Sequence, residues 1–320
     1  MKHFLKVSMV LAAAMGLVWG CGQKQEKSAR EWFDAGMASV QAGQYEKAVD
    51  AFTRVLEKTP DFAPAHNNRA AARVDLGDYA GAIEDYNRAL AINPGFAEAY
   101  NGRGKTFCDM GQVDKAIADL DKAVELAPDF ADAYNNRAVA WRKKGDFVSA
   151  LADHSRAIQM RPGRAAEFHN ARGVTWLENG DPDKAIADFT AAIAENPGFA
   201  WAYNNLASAW MEKNKPDRAM AAYDKALSIL PRMAEALSGR GSVKAQSGDY
   251  PGALADLDKA IEIHPAYHTA YYNRAQVCLL TGDREKALAN AVKAVSLAPE
   301  NTQYQNLLNA LQQPPPGSGK

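Results

Sequence analysis

The sequence is poor in the residues from which most reactive sites are built. Its 320 residues include only three cysteines, Cys21, Cys108 and Cys278, too few for a fold stapled by disulfides. An excess of either charge is missing too. The formal net charge is −1, and setting aside residues 1–20, which hold Lys2 and Lys6 and no acid, leaves 35 bases against 38 acids. A nucleic-acid partner calls for a basic face, so none is expected. The uncharged stretch near the start, residues 7–20, runs for 14 residues, short of the ~20 that cross a bilayer as a helix. The run "GRGKT" at 102–106 imitates a phosphate loop, but the full pattern needs glycine where Ala99 stands. His264 and His268 are four apart, and Pro265 breaks any helix between them, which argues against a metal site. No segment is left over for a catalytic domain. Neither a cofactor, a catalytic residue nor a small-molecule substrate is expected.

The first twenty residues differ in kind from the rest. "MKHFLK" is a positive head, and the uncharged run behind it has the length of a signal-peptide core. It ends in Val18-Trp19-Gly20-Cys21. This resembles the lipobox of bacterial lipoproteins, although Trp19 stands where that motif has a small or aliphatic residue. The resemblance implies a signal peptide over 1–20, lipidation of Cys21 as the new N-terminus, and a linker over 21–28. One acyl chain holds a membrane only marginally and several hold it stably. Secretion with cleavage nearby is the other reading. Gly22 follows the cysteine. Inner-membrane retention in such lipoproteins looks for Asp there, so the resemblance implies a bacterial cell envelope protein on the outer membrane, facing the periplasm.

What the sequence has in abundance is itself. The stretch "AYNNRAVAW" at 133–141 returns as "AHNNRAAAR" from Ala65, "FHNARGVTW" from Phe168 and "AYNNLASAW" from Ala202. A glycine recurs at 43, 77, 111, 145, 180, 248 and 282, and a proline at 60, 94, 128, 162, 197, 231, 265 and 299. The period is 34, with one extra residue near Ala165. Eight units follow: 29–62, 63–96, 97–130, 131–164, 166–199, 200–233, 234–267 and 268–301. Within each, the first helix should stop at the position-15 glycine in a left-handed conformation, with Asn214 as its one substitute. Asp78, Asp146, Asp181, Asp249 and Asp283 at position 16 suit helix N-caps. Pro182, Pro216 and Pro251 suit the first turn that follows. Alanine is invariant at position 20, where two backbones can approach closely. Cys108 and Cys278 lie five units apart. At ~10 Å per helix layer they are too distant to bridge, and they read as small buried residues.

The length, the small residue at 8, Gly at 15, an aromatic at 17, Ala at 20 and 27 and Pro at 32 resemble the tetratricopeptide repeat (TPR) over residues 29–301. The resemblance implies an all-α fold: a right-handed α-solenoid of eight helix-turn-helix units whose first helices line a concave groove. Residues 302–313 read as a capping helix with a polar outer side, and 314–320 as a disordered tail.

The recurring arginine sits at position 7, and position 23 answers it sixteen residues later. The pairs are Arg69 with Asp85, Arg103 with Asp119, Arg137 with Asp153, Arg172 with Asp188 and Arg240 with Asp256. Where arginine is lost the acid is lost too: Ala35 faces Ala51 and Leu206 faces Ala222. That joint loss marks a structural ion pair inside each hairpin rather than a basic groove. Arg274 faces Asn290, which can still accept a hydrogen bond.

The asparagines read differently. In the tetratricopeptide family, positions 2, 5, 6, 9, 12 and 13 face the groove. Position 5 carries Asn67, Asn101, Asn135, Asn170 and Asn204, and position 6 carries Asn136 and Asn205 in even units. An amide both donates and accepts, so a ladder of them can hold a peptide backbone whatever its side chains; equally, the amides can bridge neighbouring helices. Leu177, Trp201 and Met211 add apolar bulk, Trp201 as an anchor or as packing on the next unit. Trp141, Trp176 and Trp210 at position 11 read as core. The extra residue and Arg164 between Met160 and Phe168 mark a looser junction. The reading is a non-catalytic scaffold that binds a protein or peptide in its groove and the membrane through its N-terminal lipid. The alternative is a regulator of a peptidoglycan-modifying enzyme, or such an enzyme itself.

Overall fold

A computed structural model describes residues 27–161 and 165–313. The signal peptide, Cys21, Arg164 and the tail 314–320 lie outside the described residues. Seventeen helices and no strand are found among the described residues, so the protein is all-α. They form two compact bodies, residues up to 112 and residues from 113.

The first body holds α1 (Ala29–Gln41), α2 (Tyr45–Lys58), α3 (Ala63–Asp75), α4 (Tyr79–Ile92) and α5 (Ala97–Asp109). The second begins with α6 (Val113–Leu126), followed by α7 (Ala131–Lys144), α8 (Phe147–Met160), α9 (Ala166–Glu178) and α10 (Pro182–Glu195). It continues through α11 (Ala200–Glu212), α12 (Pro216–Ile229), α13 (Ala234–Gln246), α14 (Tyr250–Ile263), α15 (His268–Leu280) and α16 (Arg284–Leu297), and ends with α17 (Thr302–Gln312). Within each body every helix packs on its neighbour in sequence, and the first helices of successive hairpins also touch.

The punctuation of the sequence explains these boundaries. The seven glycines at position 15 have φ between 66° and 85°, and Asn214 takes φ 53° in the same place. The five position-16 aspartates accept from the backbone N–H three residues on, for example Asp146 from Ser149 and Asp181 from Lys184. All eight position-20 alanines are fully buried. There the two helices of a hairpin meet backbone to backbone.

Packing at position 24 follows a size rule. A Cβ on Gly36 would lie 2.6 Å from the Phe52 ring, and one on Gly173 2.6 Å from Phe189. Where position 24 is tyrosine the small residue moves to position 6 of the next unit. A Cβ on Gly102 would meet the Tyr86 hydroxyl at 2.5 Å, and one on Gly239 would meet Tyr223 at 2.3 Å. Glycine at position 8 thus makes room for a phenylalanine of its own unit, and glycine at position 6 makes room for a tyrosine of the unit before.

Two expectations gain detail. Trp141, Trp176 and Trp210 are half-buried, and Trp176 and Trp210 pack on the buried clusters around Phe189 and Tyr223. Each lies under a cation, Lys144, Lys184 and Arg218 respectively, the latter two 4.3 and 4.5 Å from the ring centre, so these rings shield hairpin turns under charged lids. Residues 162–164 at the junction between α8 and α9 lie outside the described residues, and the side chains on either side of them pack closely. Ala165 and Phe168 are buried, and the fully buried His154 on α8 contacts Thr175 Oγ1 on α9 at 3.2 Å.

Candidate protein-binding groove

The arginines set the frame. Arg69, Arg137, Arg172 and Arg240 each grip the aspartate of their own hairpin with two nitrogens. Arg137 Nε and Nη2 donate to Asp153 at 2.7 and 2.9 Å, and Arg240 to Asp256 at 2.8 and 2.6 Å. Arg69 holds Asp85 at 2.8 and 2.7 Å, and Arg172 holds Asp188 at the same distances. The four aspartates are buried. Arg103 falls in the first body and Asp119 in the second. Arg103 donates to Asn87 at 2.5 Å.

That last contact exposes a partner missed in the sequence. The third nitrogen, Nη1, reaches back to position 25 of the preceding unit: Arg69 to Thr53, Arg103 to Asn87, Arg137 to Asp121, Arg172 to Ser155 and Arg240 to Asp224. Arg274 differs: its Nε lies 2.8 Å from Asp258 as an ion pair without hydrogen-bond geometry, and Nη1 donates to Asn290 at 3.3 Å. Arg69, Arg137, Arg172 and Arg240 thus each close their own hairpin and staple it to the one before. The signal was a second spacing of sixteen, seventeen across the extra residue near Ala165, hidden because Thr, Asn, Asp and Ser share only polarity. Burial by itself would lower the Arg137 pKa, but Asp153 and Asp121 hold it above the ordinary value. Burial, the largest single influence, would raise Asp188 and Asp256, and the bonds and charges of Arg172 with His169 on the one and Arg240 with Lys244 on the other together outweigh it, leaving both below the usual carboxylate range.

With the arginines turned into the wall, the groove is left to other side chains. In the second body a recess of about 530 Å³ is lined by Trp201, Asn204, Asn205, Ser208, Met211 and Glu212 of α11. Those are positions 2, 5, 6, 9, 12 and 13 of that unit. Its far wall comes from α13 and α15, with Glu235, Ser238, Ser242 and Asn273. Trp201 is 45% exposed although it lines the recess. The serines and both glutamates escape a reading built on repeated asparagine, although the register already places them there.

The amides themselves are partly spent on each other. Asn204, buried, donates to Asn205, which donates to Asn170 of the preceding unit at 2.9 Å. Asn135 Oδ1 faces the buried His154 Nδ1 at 3.0 Å. Asn67 donates to Asn68 in the first body. Asn101 and Asn136 are half-buried on α5 and α7. Asn205 to Asn170 bridges two units, and the other three bonds stay within one. Leu177 packs against the cluster around Phe189 and is not among the residues lining the recess. Among the described residues no His, Cys, Asp and Glu side chains group as metal ligands. Cys108 and Cys278 are buried thiols.

Family models described as tetratricopeptide repeat or TPR repeat match residues 33–95, 85–118, 104–145, 170–234, 206–278 and 268–301. Together they span most of the chain. The chain is a tetratricopeptide repeat protein. Among solved structures, this TPR protein is similar to a chain of the APC/C hetero-tetramer Cut9–Hcn1, at TM-score 0.67 and 15% identity over 84% of this chain and 53% of that one. It therefore spans about half of that relative. A tetratricopeptide repeat protein from Parabacteroides merdae gives TM-score 0.64 and 20% identity over 78% of this chain and 99% of that one. PilF from Pseudomonas aeruginosa gives 0.56 and 19% over 67% and 97%. At such identities these likenesses show the fold, an α-solenoid of helical hairpins. No curated protein matches the TPR protein. Repeats of this family make protein–protein interaction scaffolds, and the TPR protein is one by its architecture.

Proposed function

We propose that this TPR protein is a non-catalytic adaptor of the bacterial cell envelope, anchored by a lipid on Cys21 and holding a protein or peptide partner in the groove of its second body. The observation that carries the reading is the recess beside Trp201. A large aromatic ring stands exposed in a concave polar wall, the arrangement of an interface anchor. The arginines cannot serve as an alternative grip, because their nitrogens are committed to the wall.

A photo-crosslinking residue placed at Trp201 in cells tests the groove. The expected result is one dominant partner band from envelope fractions, lost when Met211→Ala accompanies a crosslinker at Asn205. Crosslinks spread evenly over many proteins would refute the adaptor reading. Cys21→Ser tests the anchor. It should release the protein from the membrane fraction, and unchanged retention would sink lipidation.

A further inference from the structure

The recess beside Trp201 continues into a second one of about 390 Å³, since Ser242 and Asn273 line both. The second part is aliphatic, walled by Ala245, Val277, Leu279, Leu280 and Leu307. Leu280 is 60% exposed there. The two parts make one trough along α11, α13 and α15.

The charge of this trough is of one sign. Among the described residues, Glu212 and Glu235 are the only charged side chains that line it. Neither carboxylate has an ion-pair partner among those residues, and the nearby lysines are engaged elsewhere, Lys213 with Asp183 and Lys244 with Asp256. The aspartates that the position-7 arginines grip, by contrast, all face cations: Asp121, Asp153, Asp188, Asp224 and Asp256. Glu235 is half-buried beside Tyr267, whose hydroxyl is pushed up to about 12 chiefly by burial, with the Glu235 charge adding to it. Carboxylates in a concave wall focus potential into the hollow, and like charge there disfavours an acidic ligand.

We infer that the trough takes an extended segment of a protein partner that carries a lysine or arginine for the Glu212–Glu235 end and an aliphatic side chain for the Leu279–Leu280 end. This rests on the adaptor reading and names the chemistry of its partner. Successive units step by ~10 Å, and an extended chain advances ~3.3 Å per residue. Glu212 and Leu280 hold the same register position two units apart, ~20 Å, so the two anchors stand about six residues apart.

Fluorescence anisotropy on residues 22–320 tests this with labelled Gly/Ser peptides of ten residues. One carries Arg and Leu six positions apart, one Glu and Leu at that same spacing, and one Arg with Ser in place of the Leu. The Arg–Leu peptide should bind at least tenfold tighter than either control and weaken with salt. Glu212→Gln with Glu235→Gln should erase the preference for Arg over Glu, and Glu212→Lys with Glu235→Lys should reverse it. Leu280→Ser should erase the preference for Leu. Equal binding of the Arg–Leu and Glu–Leu peptides, no binding of the Arg–Leu peptide at millimolar concentration, or a dimer in sedimentation that blocks the peptide would each overturn the inference. The crosslink at Trp201 reads the adaptor function separately. A single partner band without charge preference sinks only the present inference, whereas neither band nor binding sinks both.

Discussion

At the scale of the residue, the arginine at position 7 holds three contacts across two units. Its removal strands a buried carboxylate. For Arg137→Ala a loss of roughly 3–5 kcal/mol is expected, with part of it recovered when Asp153→Ala is added. Chemical unfolding of the single and double variants checks this, and purely additive losses would refute the pairing. His154 offers a second test. Burial first, then the nearby Arg142 and Arg172 charges, depress its pKa to about 3. An unfolded histidine titrates near ~6.5, so between these values the unfolded chain binds the extra proton. Stability should be full above about pH 6.5 and fall steadily as pH drops toward 3. His154→Leu, with the residue that Leu120 and Leu257 supply at the same position, should flatten that acid limb in thermal melts. An unchanged limb would assign it to the carboxylates alone. The Arg–Asp bond was legible because the sequence holds its own controls, Ala35 with Ala51 and Leu206 with Ala222. The inward turn of Asn135 was not legible, because it depends on a histidine nineteen residues away that occurs in one unit only.

At the scale of the element, two glycines at different places serve different ends. Gly145 ends α7 at φ 85°, and a Cβ added there would meet nothing within 4 Å, so its constraint is the backbone. Gly173 is helical, and its constraint is the Phe189 ring. Gly145→Ala should cost about 1–2 kcal/mol through strain, and Gly173→Ala about 1–3 kcal/mol through overpacking. Phe189→Leu should recover part of the second loss and none of the first. Melting temperatures of the single and combined variants decide it, and a rescue of Gly145→Ala would be fatal to the distinction. Helix limits were readable from these marks because glycine, proline and aspartate act locally. The trough was readable only in part, because its serines and leucines look ordinary until three helices are brought together.

At the scale of the whole molecule, the C-terminal helix matters beyond its length. Leu311 of α17 is buried against Ala275, Cys278, Ala287 and Ala291, and Tyr304 contacts His268 at 2.9 Å. Leu311→Asp should lower the melting temperature and expose apolar surface to a hydrophobic dye. An unchanged melt would show that the last hairpin stands without its cover.

Leu206 bears on the order in which the hairpins separate. It takes the place of an arginine, and it packs at once on the cluster around Phe189 and on the one around Tyr223. The seam between α10 and α11 is thus sewn with oil where the one between α12 and α13 is sewn with salt, Arg240 to Asp224. Strong brine or vinegar-like acidity would loosen the Arg240–Asp224 stitch and leave this one tight, so the seam between α12 and α13 should open before the seam between α10 and α11.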